Sequence, residues 1–290
     1  MSPPTRVRPN YHVHLLLFAM TVVTTVVAGM VMEVLNPLQH FDQFYRGLPY
    51  AGTLLSILFC HEMGHYLTAR YYGMDVTLPY FIPAPPPLFF GTLGAFIRMK
   101  SSAQHRQALL NVGAAGPIAG FCIALPAVIY GYVTSPIVPL RAVEGGMYFG
   151  EPLLLQIIAR LVVGSMPEGF TIQINSVGFA GWFGLLVTML NLLPIGQLDG
   201  GHIMYAMFGR QARYVSRAMI GVLLLLGLLF HFYGWFIWAT IGWLTSLRQP
   251  VILDDQAPLN RRSKIIAGIA FVIFVLCFMP VPLSLGNPGG

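Results

Sequence analysis

Residues Tyr50–Tyr72 read YAGTLLSILFCHEMGHYLTARYY, an apolar run interrupted by His61-Glu62-Met63-Gly64-His65. A helix needs about 20 mainly apolar residues to cross a bilayer, and this run is long enough. Ionisable residues inside such a span cost about 2.5–3.5 kcal/mol each on insertion scales, so a span that keeps three of them points to function. On a helix, positions four apart share a face. His61 and His65 can therefore reach one metal ion, with Glu62 one step round and able to accept a proton from water. Eight histidines and five glutamates in 290 residues would produce about 0.004 such matches by chance.

The rest of the chain supports a membrane setting. Hydrophobic residues make up 56%, charged residues 9%, and mean hydropathy is +0.70. Soluble domains carry roughly 25% charged residues, so the composition argues against a soluble enzyme, a disordered chain or a nucleic-acid binder. Windows of spanning length fall at His14–Leu35, Tyr50–Tyr72, Gln107–Val133, Ile174–Leu193, Val215–Phe232, Trp235–Leu247 and Ile265–Pro282. The fifth and sixth are short and separated by Tyr233-Gly234, which suggests a tight hairpin. The expected fold is an all-α polytopic membrane protein with six or seven transmembrane helices.

Basic loops stay cytoplasmic. Threading the spans with the N-terminus inside puts thirteen of the sixteen Lys and Arg, from Arg6 and Arg8 to Arg248 and Lys264, on that side. Only Arg46, Arg141 and Arg160 fall outside. The net charge of +6 then reflects topology and contact with the lipid bilayer, and no nucleic acid is needed as a partner. The first span is too long for a typical signal-peptide core and reads as an uncleaved anchor. Cys60, Cys122 and Cys277 all lie in apolar segments and give no disulfide framework.

Two connections stand out. Glu151–Gly164 (EPLLLQIIARLVVG) fits an amphipathic helix lying on the membrane surface. Leu78–Lys100 (LPYFIPAPPPLFFGTLGAFIRMK) is apolar enough to enter the bilayer, yet Pro83, Pro85, Pro86 and Pro87 rule out a regular helix. Such backbone is tolerated at membrane depth only when buried in protein or lining a wet cavity.

A catalytic zinc site uses three protein ligands and one open position, so two histidines leave one ligand to find. The fourth span runs into Asn191–His202 (NLLPIGQLDGGH). Asp199 sits near its inner end, where Pro194 and three glycines loosen the helix. Asp75, His105 and His202 compete for the role, and His202, one turn from Asp199, is the serious rival. His61 and His65 lie about 10–17 Å from the inner end of their helix at 1.5 Å per residue, a depth at which they can meet Asp199.

These residues resemble the site-2 protease family of intramembrane zinc metalloproteases. The matching pieces are His61-Glu62-Met63-Gly64-His65, then Gly116-Pro117-Ile118-Ala119-Gly120, then Asn191 through Gly200 as N-x-x-P-x-x-x-L-D-G. The resemblance covers about Leu54 to His202. It implies one zinc per chain held by His61, His65 and Asp199, with Glu62 as general base and Asn191 holding the substrate backbone or the oxyanion. Phe89–Arg98 (FFGTLGAFIR) is similar to the family's re-entrant β element, which adds a β-hairpin-like element to the expected fold. The implied substrates are single-span membrane proteins, such as an anti-sigma factor or a membrane-tethered regulator, cut in regulated intramembrane proteolysis. Residues 1–49 would form the tail and first span, 50–205 the catalytic core and 206–290 the C-terminal spans. The chain has room for neither a PDZ nor a CBS module and looks like a compact member, so regulation would fall to a separate protein. The expected location is a prokaryotic cytoplasmic membrane, with the site toward the cytoplasm.

Overall fold

A computed structural model describes residues 11–85, 88–143, 146–246, 252–254 and 258–285. Arg6, Arg8, Pro86, Pro87, Leu247 and Arg248, used in the reading above, lie outside the described residues. Helix α1 (Tyr11–Met32) is followed by a 3₁₀ turn and by α2 (Leu48–Tyr71). Pro49 stands in the first turn of α2, where a missing N–H costs nothing. The helix ends at Gly73, whose φ of 69° suits glycine. There the Met74 N–H reaches back to the Ala69 carbonyl at 2.9 Å, a closure that satisfies an orphan carbonyl.

The proline-rich connection forms strands instead of helix. β1 (Tyr80–Pro83) pairs antiparallel with β2 (Thr92–Phe96), with Tyr80 opposite Phe96 and Ile82 opposite Gly94. The turn between them holds Gly91 at φ 86°, a conformation that strains any residue with a Cβ. β3 (Ala103–His105) leads into α3 (Arg106–Thr134), and His105 Nδ1 caps that helix by accepting the Ala108 N–H at 3.1 Å.

Beyond α3 come β4 (Ile137–Pro139), β5 (Met147–Phe149), α4 (Leu153–Val162) and β6 (Phe170–Ile172), with β4 paired to β6. The chain returns as α5 (Ser176–Asn191), capped by the Asn175 side chain, which accepts the Gly178 N–H at 2.9 Å. A turn leads to α6 (Asp199–Phe208), α7 (Ala212–Leu229) and α8 (Gly234–Ser246). β7 (Ile252–Asp254) lies parallel to β3. α9 (Arg261–Cys277) and β8 (Leu283–Leu285) follow, and β8 pairs with β5.

α3 is the central post, packed against α2, α5, α6 and α9. Leu54, Leu110, Trp182, Leu185 and Met189 are fully buried around it. Outer helices instead expose large apolar side chains, among them Leu15, Leu228 and Phe271, the surface a lipid-facing helix presents.

Among the described residues, three segments are long and apolar enough to cross a membrane: Tyr11–Met32, Arg106–Thr134 and Asp199–Leu229. These segments support a membrane protein and do not by themselves establish the expected six or seven spans. α5 has 16 residues, α8 has 13 and α9 has 17, so α5 extends only about 24 Å against a hydrocarbon core of about 30 Å. The amphipathic helix expected in Glu151–Gly164 forms as α4: Leu154, Leu155 and Ile158 are buried against α3 and α9, while Leu153, Ile157 and Leu161 stay exposed. The three cysteines are free, and Cys122 is exposed.

Candidate metal centre

His61, Glu62 and His65 come from the middle of α2 and are 4%, 7% and 7% exposed. The two imidazoles lie against α3. A Cβ added to Gly116 would overlap the His65 ring, and one added to Gly120 would press on His61 at 3.2 Å. Likewise, a Cβ on Gly64 would strike the Ala115 carbonyl at 2.5 Å. Glycines at 116 and 120 thus form two seats with the same spacing as the two histidines. Small residues let helices approach this closely in membranes.

His65 is also oriented chemically. Its Nδ1–H donates to the Val112 carbonyl at 2.8 Å. The proton on Nδ1 leaves Nε2 with a free lone pair, the arrangement that fixes a metal-binding tautomer.

Asp199 arrives from a different place than expected. α5 stops at Asn191, and Asp199 is the first residue of α6, beyond the turn Leu192–Leu198. The glycines fold that turn tightly. A Cβ at Gly200 would collide with the Leu192 carbonyl, one at Gly201 would reach the Ile195 carbonyl at 2.7 Å, and Gly196 has φ 51°. An aspartate in a first helical turn is favoured by the helix dipole.

The donor atoms converge. His61 Nε2 and His65 Nε2 are 3.1 Å apart. Asp199 Oδ2 lies 3.5 Å from the first and 3.3 Å from the second. A tetrahedral ion with ligands at about 2.0–2.1 Å has ligand–ligand edges of about 3.3 Å. Donor chemistry and spacing therefore fit one divalent cation, and two imidazoles with a carboxylate are a set that suits zinc. Among the described residues, this is the one His/Cys/Asp/Glu group that meets the spacing a shared ion requires.

The other sequence candidates separate clearly. Asp75 is exposed and outside the donor group. His105 is occupied in capping α3. His202 lies in the wall of the same cleft but outside the donor group, and its Nδ1 is buried with no hydrogen-bond partner among the described residues. Asn191 Nδ2 lies 3.3 Å from His61 Nε2, which brings the amide to the edge of the centre.

The cluster opens into a cleft of about 250 Å³. One wall is the β2 end of the hairpin, through Ala95, Phe96 and Ile97. Ile97 thus lines the same cleft as Glu62, a proximity the sequence did not suggest. The glycine seats had left a trace: Gly116 and Gly120 repeat the four-residue spacing of His61 and His65. The Val112 carbonyl left none, because any residue type supplies one.

Residues 49–233 match peptidase family M50, and that stretch contains every residue of the centre. The chain belongs to peptidase family M50. This is the site-2 protease family that its motifs resemble. Among curated M50 relatives, a rice protein (Oryza sativa subsp. indica) named probable zinc metalloprotease EGY2, chloroplastic, is 30% identical over 97% of this chain and 52% of its own length. Two proteins of Arabidopsis thaliana carry similar names. Probable zinc metalloprotease EGY1, chloroplastic, is 32% identical over 86% of this chain and 45% of itself. The EGY2 counterpart is 33% identical over 68% and 35%. The chain spans about half or less of the length of these relatives. They are named as chloroplastic, so they do not bear out the expectation of a prokaryotic cytoplasmic membrane.

Proposed function

We propose that this chain is an intramembrane zinc metalloprotease that hydrolyses peptide bonds in or near the transmembrane segment of single-span membrane proteins. The convergence of His61, His65 and Asp199 to within 3.1–3.5 Å, beside the buried Glu62 carboxylate, carries this reading. His61, His65 and Asp199 would hold the zinc, which when bound would supply Lewis acidity toward water and a carbonyl oxygen. Glu62 takes the proton from the attacking water and returns it to the leaving amine nitrogen. Asn191, at the rim beside His61, offers its amide to the substrate backbone or to the oxygen that gains negative charge.

A substrate helix must unwind before its backbone is accessible, and its freed N–H and C=O groups then need partners. β2 belongs to a two-stranded sheet and lines the cleft, so it can hold an extended substrate by strand addition. On this reading the hairpin is re-entrant, residues 50–205 form the catalytic core, and the shorter helices complete six or seven spans. The cleft and the N-terminus face the side that carries the basic loops. A membrane-tethered regulator or an anti-sigma factor cut in regulated intramembrane proteolysis fits the role, with a separate protein controlling access.

The test uses a tagged single-span substrate with wild type and Glu62→Gln, each with and without a chelator. Wild type alone should cut, and chelation should abolish cutting. Cleavage that persists in Glu62→Gln would defeat the mechanism, and metal flux without cleavage would indicate a transporter instead.

A further inference from the structure

Helix α1 precedes the M50 match at residues 49–233, yet it grips the hairpin that walls the cleft. Thr24 Oγ1 donates to the Gly91 carbonyl at 2.7 Å. Its hydroxyl has one hydrogen, and the carbonyls of its own helix, Met20 and Thr21, are farther away at 3.1 and 3.2 Å. A threonine within a helix usually bonds back to its own turn, so the shortest contact is the unusual one. Gly91 sits so close that an added Cβ would meet the Thr24 carbonyl at 2.6 Å and Thr25 Cα at 2.7 Å. At the other end of the hairpin, His14 Nδ1–H donates to the Pro79 carbonyl at 3.1 Å, and its ring packs tilted on Tyr80 with centroids 4.0 Å apart. From α2, the Tyr50 hydroxyl donates to the Phe90 carbonyl at 2.9 Å.

These contacts hold the turn and the β1 entry, whereas β2 faces the cleft and runs on to Ile97, which lines that cleft together with Glu62. A shift of the turn would therefore move the strand that lines the cleft beside Glu62. We infer that α1 sets the height of β2 over the catalytic centre, with Thr24 as the positioning residue that fixes the turn. The inference rests on the protease reading and extends it to a helix outside the matched core.

Thr24→Val keeps the shape and removes the donor, whereas Thr24→Ser keeps the donor. Zinc content, kcat and KM for a tagged single-span substrate would be measured for both in lipid. Thr24→Val should raise KM about tenfold with zinc content unchanged, and Thr24→Ser should restore KM. Hairpin position is read separately, by the distance between spin labels at the exposed residues Leu93 on β2 and Leu67 on α2, with the three native cysteines replaced. That distance should broaden or shift in Thr24→Val. Wild-type KM and an unmoved distance in Thr24→Val would overturn the inference, as would a serine variant as impaired as the valine. A wild type that binds zinc and fails to cut, while the distance still responds to Thr24→Val, sinks the protease reading and supports the anchor.

Discussion

Gly116 is the residue whose replacement most directly disturbs the metal centre without touching a ligand. His65 cannot retreat from a new methyl group, because its Nδ1 is tied to the Val112 carbonyl at 2.8 Å and its ring lies against Gly116. Gly116→Ala should weaken zinc binding about 10–100-fold, the range for disturbed orientation of a metal ligand. Gly52→Ala on the same pair of helices, where an added Cβ meets nothing within 4 Å, should leave binding unchanged. Equilibrium zinc titration of both variants checks this, and equal affinities would contradict the account of the seats. At this scale the two histidines and Glu62 were legible because helical spacing alone puts them together. Asp199 was legible as a residue type in the right stretch. Its position at the head of α6 was not, because it depends on how Pro194, Gly196, Gly200 and Gly201 fold the turn after α5.

The hairpin is the element on which substrate handling depends. Gly94 lies in β2 at φ 101°, and its N–H is bonded to Thr92 Oγ1 at 3.0 Å. Proline cannot adopt that φ and has no N–H to donate. Gly94→Pro should lower the rate of cleavage of a membrane substrate more than tenfold while leaving zinc content unchanged. If cleavage stayed at the wild-type rate, strand addition on β2 would be wrong. The prolines at 83 and 85 correctly signalled that Leu78–Lys100 is not helical, but they did not specify pairing. The strands pair with Tyr80 opposite Phe96, and α1 and α2, remote in sequence, hold the turn and the β1 entry. His105 shows the same limit: its side chain type suggested a metal ligand, and only the fold shows it capping α3.

Across the whole molecule, hydropathy indicated helices and a membrane setting, and among the described residues three segments meet the length and apolarity that crossing requires. The number of spans was less legible, because apolar runs such as Ile174–Leu193 and Trp235–Leu247 give helices of 16 and 13 residues. A packed interior and a lipid-facing surface favour the same side chains, so hydropathy alone does not separate them. The central claim concerns three side chains from α2 and α6 brought to one point. Zinc titration of the metal-free protein in lipid tests it most directly. Wild type and Glu62→Gln should each bind one zinc per chain with equal affinity, and Asp199→Ala should bind more than about 100-fold more weakly. Wild type that binds no zinc, or Asp199→Ala that binds it as tightly as wild type, would contradict the claim.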